Sequence, residues 1–371
     1  MKTTRQLWTV CTLAIAIILL AACVMPAPTT APTQPPAPTT APAAETKPAA
    51  VTEIVAAADG SYPGLYDLTP DGSANMTPYT PKKAYTIGFS NIGNQFPFVV
   101  AMNNGMDQAV KDMGLKLIFT DAQGDSQKQI AQMEDITTQK PDGTLLVALD
   151  ANAVIPQLEA SVKQNIPVLT CWNDLGGPPR ANWPGSISLV GVDEVETGRK
   201  VGREVLKLLP DGGQAAIIEG AAGFQASIER SEGFKEILAQ NPKIEVVASQ
   251  PGNWTREGAL SVAENFIQAY PGIDVIYAHD DNMALGAVSA LKNAKLLDKV
   301  KVVGIGGSIE GLASIKNGEL YSTIYDSPMA DTYVCLKALL MSLDGVKLPA
   351  EIWLPRPVVT KANVDQYKGE W

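Results

Sequence analysis

A single histidine, His279, and only four cysteines are found in the 371 residues, and there is no run of basic side chains. With one imidazole, acid–base or metal chemistry would have to centre on His279 and its neighbours Asp280 and Asp281, and no second histidine or spaced cysteine pair exists to complete a metal site. The glycine-rich phosphate loop is missing too. Gly304-Ile305-Gly306-Gly307-Ser308 lacks the dinucleotide spacing and reads as a tight strand-to-helix turn. Nor is there a nucleophile elbow, because no glycine stands two places after Ser308. The net charge of −10 argues against nucleic acid as a partner. No catalytic residue, cofactor or metal is expected.

The amino-terminal residues do carry a pattern. Lys2 and Arg5 precede an apolar core over residues 7–20, which is the order of a bacterial secretory signal. A spanning helix would need roughly 20 apolar residues, and this core is shorter and followed at once by small residues. Leu20-Ala21-Ala22-Cys23 resembles the lipobox of bacterial lipoproteins, which implies a signal peptide over 1–22 and acylation of Cys23. Residues 23–50 are nearly all Pro, Ala and Thr, so they cannot bury a core and read as a tether. At about 3 Å per residue such a spacer reaches on the order of 70 Å. Residues 51–83 read as an irregular extension rich in Pro, Gly and Asp, whose Tyr62, Tyr66 and Tyr79 can pack on the domain.

From Tyr85 onward short β-branched runs alternate with helical patterns. The runs cover residues 85–89, 115–119, 144–147, 166–169 and 187–190, then 215–218, 245–247, 275–277, 300–303 and 321–324. Between them lie helix signals such as Ser126-Gln127-Lys128-Gln129, a capping box before Ile130, Met133 and Ile136. Asp281 reads as the cap of a helix that starts near Asn282. Helical interludes imply parallel strands joined by crossovers. About 290 residues exceed one comfortable core, so the expected fold class is α/β, two doubly wound parallel-sheet lobes. Cys171 and Cys335 remain in the globular part, where a disulfide and two separate thiols are both open and the apolar settings favour the thiols.

In open parallel sheets ligands sit beyond the carboxyl ends of the strands. Those tips hold Asn94, Gln95, Phe96 and Phe98, then Trp172, Asn173 and Asp174, and in the second half Trp254, His279, Asp280 and Asp326. Rings beside amides and carboxylates suit a molecule with C–H faces and a rim of hydroxyls, a sugar or polyol.

Four segments together, Gln250-Pro251-Gly252-Asn253-Trp254, Ile228-Glu229-Arg230-Ser231-Glu232-Gly233-Phe234, Asp281-Asn282-Met283-Ala284-Leu285-Gly286-Ala287 and Val302-Val303-Gly304-Ile305-Gly306, resemble the type I periplasmic sugar-binding proteins, the ribose-binding group most of all. The likeness runs from about Lys83 onward. It implies two lobes joined by a three-strand hinge, with 84–192 plus 327–354 in one lobe and 193–326 plus 355–371 in the other. It also implies a ligand-binding role for Arg230, a stacking role for Trp254, contacts from Asp280 and Asp326, and an Asn94-to-Phe98 segment matching the family's Asn-Pro-Phe type. The implied partners are a sugar-like ligand, an ABC permease in the membrane, and the membrane itself through the lipid anchor, with the chain a monomer in the cell envelope. Two departures loosen the sugar's identity. Trp172-Asn173-Asp174 replaces the family's Asp-Arg pair, and Gly306 replaces an acid. A hexose, a polyol or a partly cationic molecule then fits better than ribose. The same cleft could instead serve a sensor lipoprotein for a chemoreceptor or kinase, bind a non-sugar signal, or belong to a secreted enzyme on the same sheet.

Overall fold

The computed structural model describes residues 53–172, 175 and 186–371. The expected leader and tether, with Cys23, lie outside the described residues, as do Asn173 and Asp174.

The chain forms β1 (Thr86–Asn91), α1 (Pro97–Met113), β2 (Lys116–Asp121), α2 (Ser126–Thr138), β3 (Gly143–Leu146), α3 (Ala151–Lys163), β4 (Val168–Trp172) and β5 (Ser186–Gly191). It continues through α4 (Glu194–Leu208), β6 (Gly213–Glu219), α5 (Gln225–Leu238), β7 (Ile244–Pro251), α6 (Arg256–Ala269), β8 (Val275–Ala278), α7 (Asp281–Ala294), β9 (Lys301–Gly306), α8 (Ile309–Lys316) and β10 (Ser322–Tyr325). Last come α9 (Pro328–Leu343), β11 (Glu351–Trp353) and β12 (Val358–Thr360). One six-stranded sheet runs β11-β5-β4-β3-β1-β2 and the other β12-β10-β9-β8-β6-β7. The strands pair in parallel, save β12, which is antiparallel to β10. Every residue of β3 and β8 is buried, as expected where helices cover both faces of a parallel sheet. The chain passes between the sheets three times, from β5 to α4, from β10 to α9 and from β11 to β12.

Local chemistry sets the helix starts, and two of them correct the sequence reading. Asp125, not Ser126, caps α2 by accepting from the amides of Gln127 and Lys128. Gln129, free of the capping box, turns inward, donating to Val147 O at 2.8 Å and accepting from Leu149 N at 2.9 Å. Asp280, not Asp281, caps α7 through Met283 N at 2.7 Å. Asp281 instead accepts from Ser308 N and Thr323 Oγ1, both at 2.7 Å, tying α7 to the two neighbouring strand ends. Glycines let α4 and α5 touch. A Cβ on Gly233 would lie 1.9 Å from Val195 O, and one on Gly198 2.2 Å from Arg230 O, so larger residues would force the helices apart.

Residues 53–83 contain no helix, yet they are fastened. Leu65 and Tyr66 are buried, Tyr66 Oη donates to Trp353 O at 2.7 Å, and Tyr367 Oη donates to Asp71 O at 2.7 Å. The hydroxyls of Tyr79 and Tyr85 both donate to Asp344, at 2.8 and 2.6 Å. Irregular backbone is stable here because its aromatic side chains and turn acids supply the packing and hydrogen bonds that regular structure would otherwise provide.

Cys171 of β4 and Cys335 of α9 form a disulfide across 164 residues of sequence, overturning the expectation of two buried thiols. The apolar settings misled because both sulfurs lie in the core of the first lobe, where an apolar environment and a bond are equally compatible. The bond ties β4, whose last residue is Trp172, to the helix that follows the second crossing. Cys171→Ala/Cys335→Ala should lower the unfolding free energy by about 2–5 kcal/mol, given the long loop closed. Urea denaturation with and without the pair of substitutions checks this; an unchanged midpoint would show that the bond adds no stability.

Candidate ligand-binding site

The carboxyl ends of both sheets open on one cavity of about 310 Å³. Phe96, Phe98 and Trp172 line it from the first lobe, and Phe224, Trp254 and Trp371 from the second. Phe98 bridges them, its ring 5.0 Å from that of Trp172 and 5.8 Å from that of Trp371. Trp172 and Trp254 both hold left-handed backbone, with φ of 67° and 59°. Such conformations are costly for residues with side chains and cluster where a ring must be aimed. The indole N–H groups of Trp172 and Trp371 are buried without a protein acceptor, which leaves each able to donate to a bound hydroxyl.

Arg230, Asp280, Asn282 and Asp326 supply the polar lining. Arg230 is 4 % exposed, and its Nε and Nη2 each lie 2.7 Å from one oxygen of Glu194, the first residue of α4. Its Nη1 donates to His279 O, and its guanidinium carbon lies 5.8 Å from the centre of the Trp254 ring. Three of the five guanidinium N–H groups are thus engaged within the protein, and the pair fixes the plane of the group at the cavity wall. Asp326 is 2 % exposed and stands 3.0 Å from Arg356 Nη2, which also meets Asp331 at 2.6 Å. Burial raises the pKa of Asp326 well above the ordinary value, Arg356 opposes that rise, and the neighbouring Asp331 adds to it. Burial likewise pushes Asp280 up to about 7, against the opposing bond from Met283 N.

His279 faces away from this chemistry. Its Nδ1 accepts from Gly220 N at 3.2 Å, its Nε2 is 3.3 Å from Ser231 Oγ, and burial followed by the charge of Arg230 holds its pKa well below 6.5. A neutral imidazole locked at both nitrogens is a structural part of the second lobe. Among the described residues no group of three or more His, Cys, Asp or Glu is placed to hold a metal ion.

The model of a periplasmic binding protein domain matches residues 87–347. The chain belongs to that family. It is 32 % identical over 281 residues to the ribose import binding protein of Bacillus subtilis, covering 76 % of this chain and 88 % of that one. An ABC transporter periplasmic solute binding protein from Actinobacillus succinogenes 130z with bound D-allose superposes with a TM-score of 0.71 at 28 % identity, covering 77 % of this chain and 100 % of the other. A solute binding protein from Bacillus halodurans C-125 with bound myo-inositol gives 0.70 at 27 % identity, with 80 % and 100 % covered. Membership places the globular part of the chain outside the cytoplasm.

In this periplasmic binding protein the cavity gathers Phe96, Phe98, Trp172, Arg230, Trp254, Asp280 and Asp326 from the residues singled out in the sequence. Asn94 and Gln95 do not line it. Asn94 is exposed and accepts from Asn103 of α1, and Gln95 folds over Gly93 and Gly124. Phe224, Asn282, Trp371 and the buried Arg356 were not found by sequence reasoning. Phe224 and Asn282 follow strands β6 and β8 and obey the strand-end rule that found the others. Trp371 and Arg356 carry no local signal, because only the return of the chain across the lobes brings them to the site.

Proposed function

We propose that this periplasmic binding protein captures a sugar or polyol in the interlobe cavity and delivers it to an ABC importer, with no turnover of the ligand. One observation carries the reading: six aromatic rings, drawn from both lobes, face a single cavity in which Arg230, Asp280, Asn282 and Asp326 supply the polar side chains. Rings stack on C–H faces while Arg230, Asp280, Asn282 and Asp326 meet hydroxyls, the division of labour a polyhydroxylated ring demands. The named ligands of its relatives, ribose, D-allose and myo-inositol, support the same class.

Capture becomes a signal through closure. A ligand touching both lobes stabilises the closed arrangement by its differential affinity, and a closed, loaded monomer is what the permease subunits would engage. Acylation of Cys23, with the residues behind it as a tether, would hold the domain at the membrane within reach of that partner. Cys23→Ala should then move the chain from the membrane fraction to the soluble fraction on centrifugation; retention in the membrane would argue against the anchor.

Trp254→Ala tests the cavity. Loss of one stacking ring should weaken sugar binding by about 1–3 kcal/mol in titration calorimetry. A screen of pentoses, hexoses and polyols by thermal shift first identifies the ligand, because anything that binds only the folded state raises its melting temperature. Unchanged affinity in the variant would move the binding site elsewhere.

A further inference from the structure

The charges around the cavity do not balance. Two guanidinium groups are at hand, Arg230 and Arg356, and each is already committed. Both oxygens of Glu194 take Arg230. Asp331 and the carbonyl of Pro355 take Arg356, at 2.6 and 2.8 Å. Two further carboxyl groups, Asp280 and Asp326, line the same cavity, Asp326 almost fully buried and Asp280 half-buried. Asp280 receives one hydrogen bond, from its own helix. Asp326 Oδ1 is buried with no hydrogen bond, although Arg356 Nη2 is close. The neighbouring acids are occupied elsewhere, Asp281 by Ser308 and Thr323, Glu370 by Ser327 and Met329. His279 is neutral and cannot supply the missing charge.

Buried carboxyl groups without a full set of donors are costly, and costlier when ionised. A ligand of hydroxyls alone can donate to both acids but brings no positive charge to them. Resting on the sugar-binding reading above, we propose that the cleft selects a sugar or cyclitol that carries a protonated amine, with Asp280 and Asp326 as the counter-charge and the aromatic walls as the support for the cation. Ammonium groups are attracted to both features, carboxylate by charge and ring faces by their quadrupole. The replacement of the Asp-Arg pair that the resemblance implies by Trp172-Asn173-Asp174 removes a cation and adds a ring, which moves the site in the same direction.

The ionisation of Asp280 gives the proposal a pH signature. Burial holds its pKa at about 7, with Asp281 raising it further and Met283 N, Arg230 and Arg256 lowering it. A cationic ligand stabilises the ionised form, so its binding expels a proton over the range in which Asp280 is protonated in the empty site. Affinity for the amine should therefore rise with pH through about 7 for as long as the amine itself stays protonated. Asp326, which lines the same cavity, is raised by burial as well and adds to the trend in the same direction, while Asp331 and Glu370 lie behind it and are likewise raised by burial.

Titration calorimetry on the full chain with matched probes tests this: glucosamine against glucose, and an amino-inositol against myo-inositol, at pH 6 and pH 7.5. The expected result is that the amino member of at least one pair binds about ten-fold tighter at the higher pH, with a smaller margin at the lower. Asp280→Asn keeps a competent helix cap and so should fold, and Asp326→Asn serves as the second variant. Either should cut the amine-to-hydroxyl ratio by about five-fold or more. Equal or tighter binding of the neutral members, or a ratio that survives both substitutions, would overturn the amine while leaving sugar capture standing. Binding of neither series, with the chain folded, would overturn the amine and the sugar reading together.

Discussion

The buried pair between Arg230 and Glu194 is the contact on which the cleft depends. Glu194 begins the helix that follows the first crossing between lobes, Arg230 lies on the next helix, and the same guanidinium holds the carbonyl of His279 at the tip of β8. Three elements are thus fixed to one planar group beside the ligand cavity. Removing Glu194 would leave a buried, unpaired cation, a loss of about 3–5 kcal/mol. The pair can form only because Gly198, Gly202 and Gly233 let α4 and α5 approach to backbone contact, so small residues far from the ligand decide where the arginine stands.

Around that fixed point the two lobes divide the work. The first contributes Phe96 before α1, Phe98 in its first turn and Trp172 of β4, next in sequence to the Cys171–Cys335 bond. The second contributes rings and, among the described residues, the charged side chains Arg230, Asp280 and Asp326 that line the cavity. Residues 53–83 add a fastening that spans both, through Tyr66 to the backbone of β11 and through Asp71 to Tyr367.

What the sequence disclosed follows from which signals are local. The alternation of β-branched runs with helices is local, and it located the ten central strands and the two-lobed fold. The strand-end rule is nearly local, and it found most of the cavity lining. Other features depend on register or on distant chain. Asp280 and Asp281 are adjacent, and only the folded register shows that Asp280 takes the helix amide while Asp281 turns to Ser308. Cys171 and Cys335 meet only after α9 packs on the first sheet. β11 and β12 are three residues each, too short for a periodic pattern, yet they carry the third crossing. Arg356, placed just after that crossing, changes the electrostatics of Asp326 and was invisible for the same reason.

Closure of the two lobes on a bound ligand is the claim that unites the cavity with its proposed role. Spin labels at the exposed Gln127 of α2 and Glu257 of α6, one on each lobe, would report the distance across the cleft by pulsed electron resonance. A saturating ligand should shorten and narrow that distance distribution. A ligand that binds in the cavity and leaves the distribution unchanged would contradict the account.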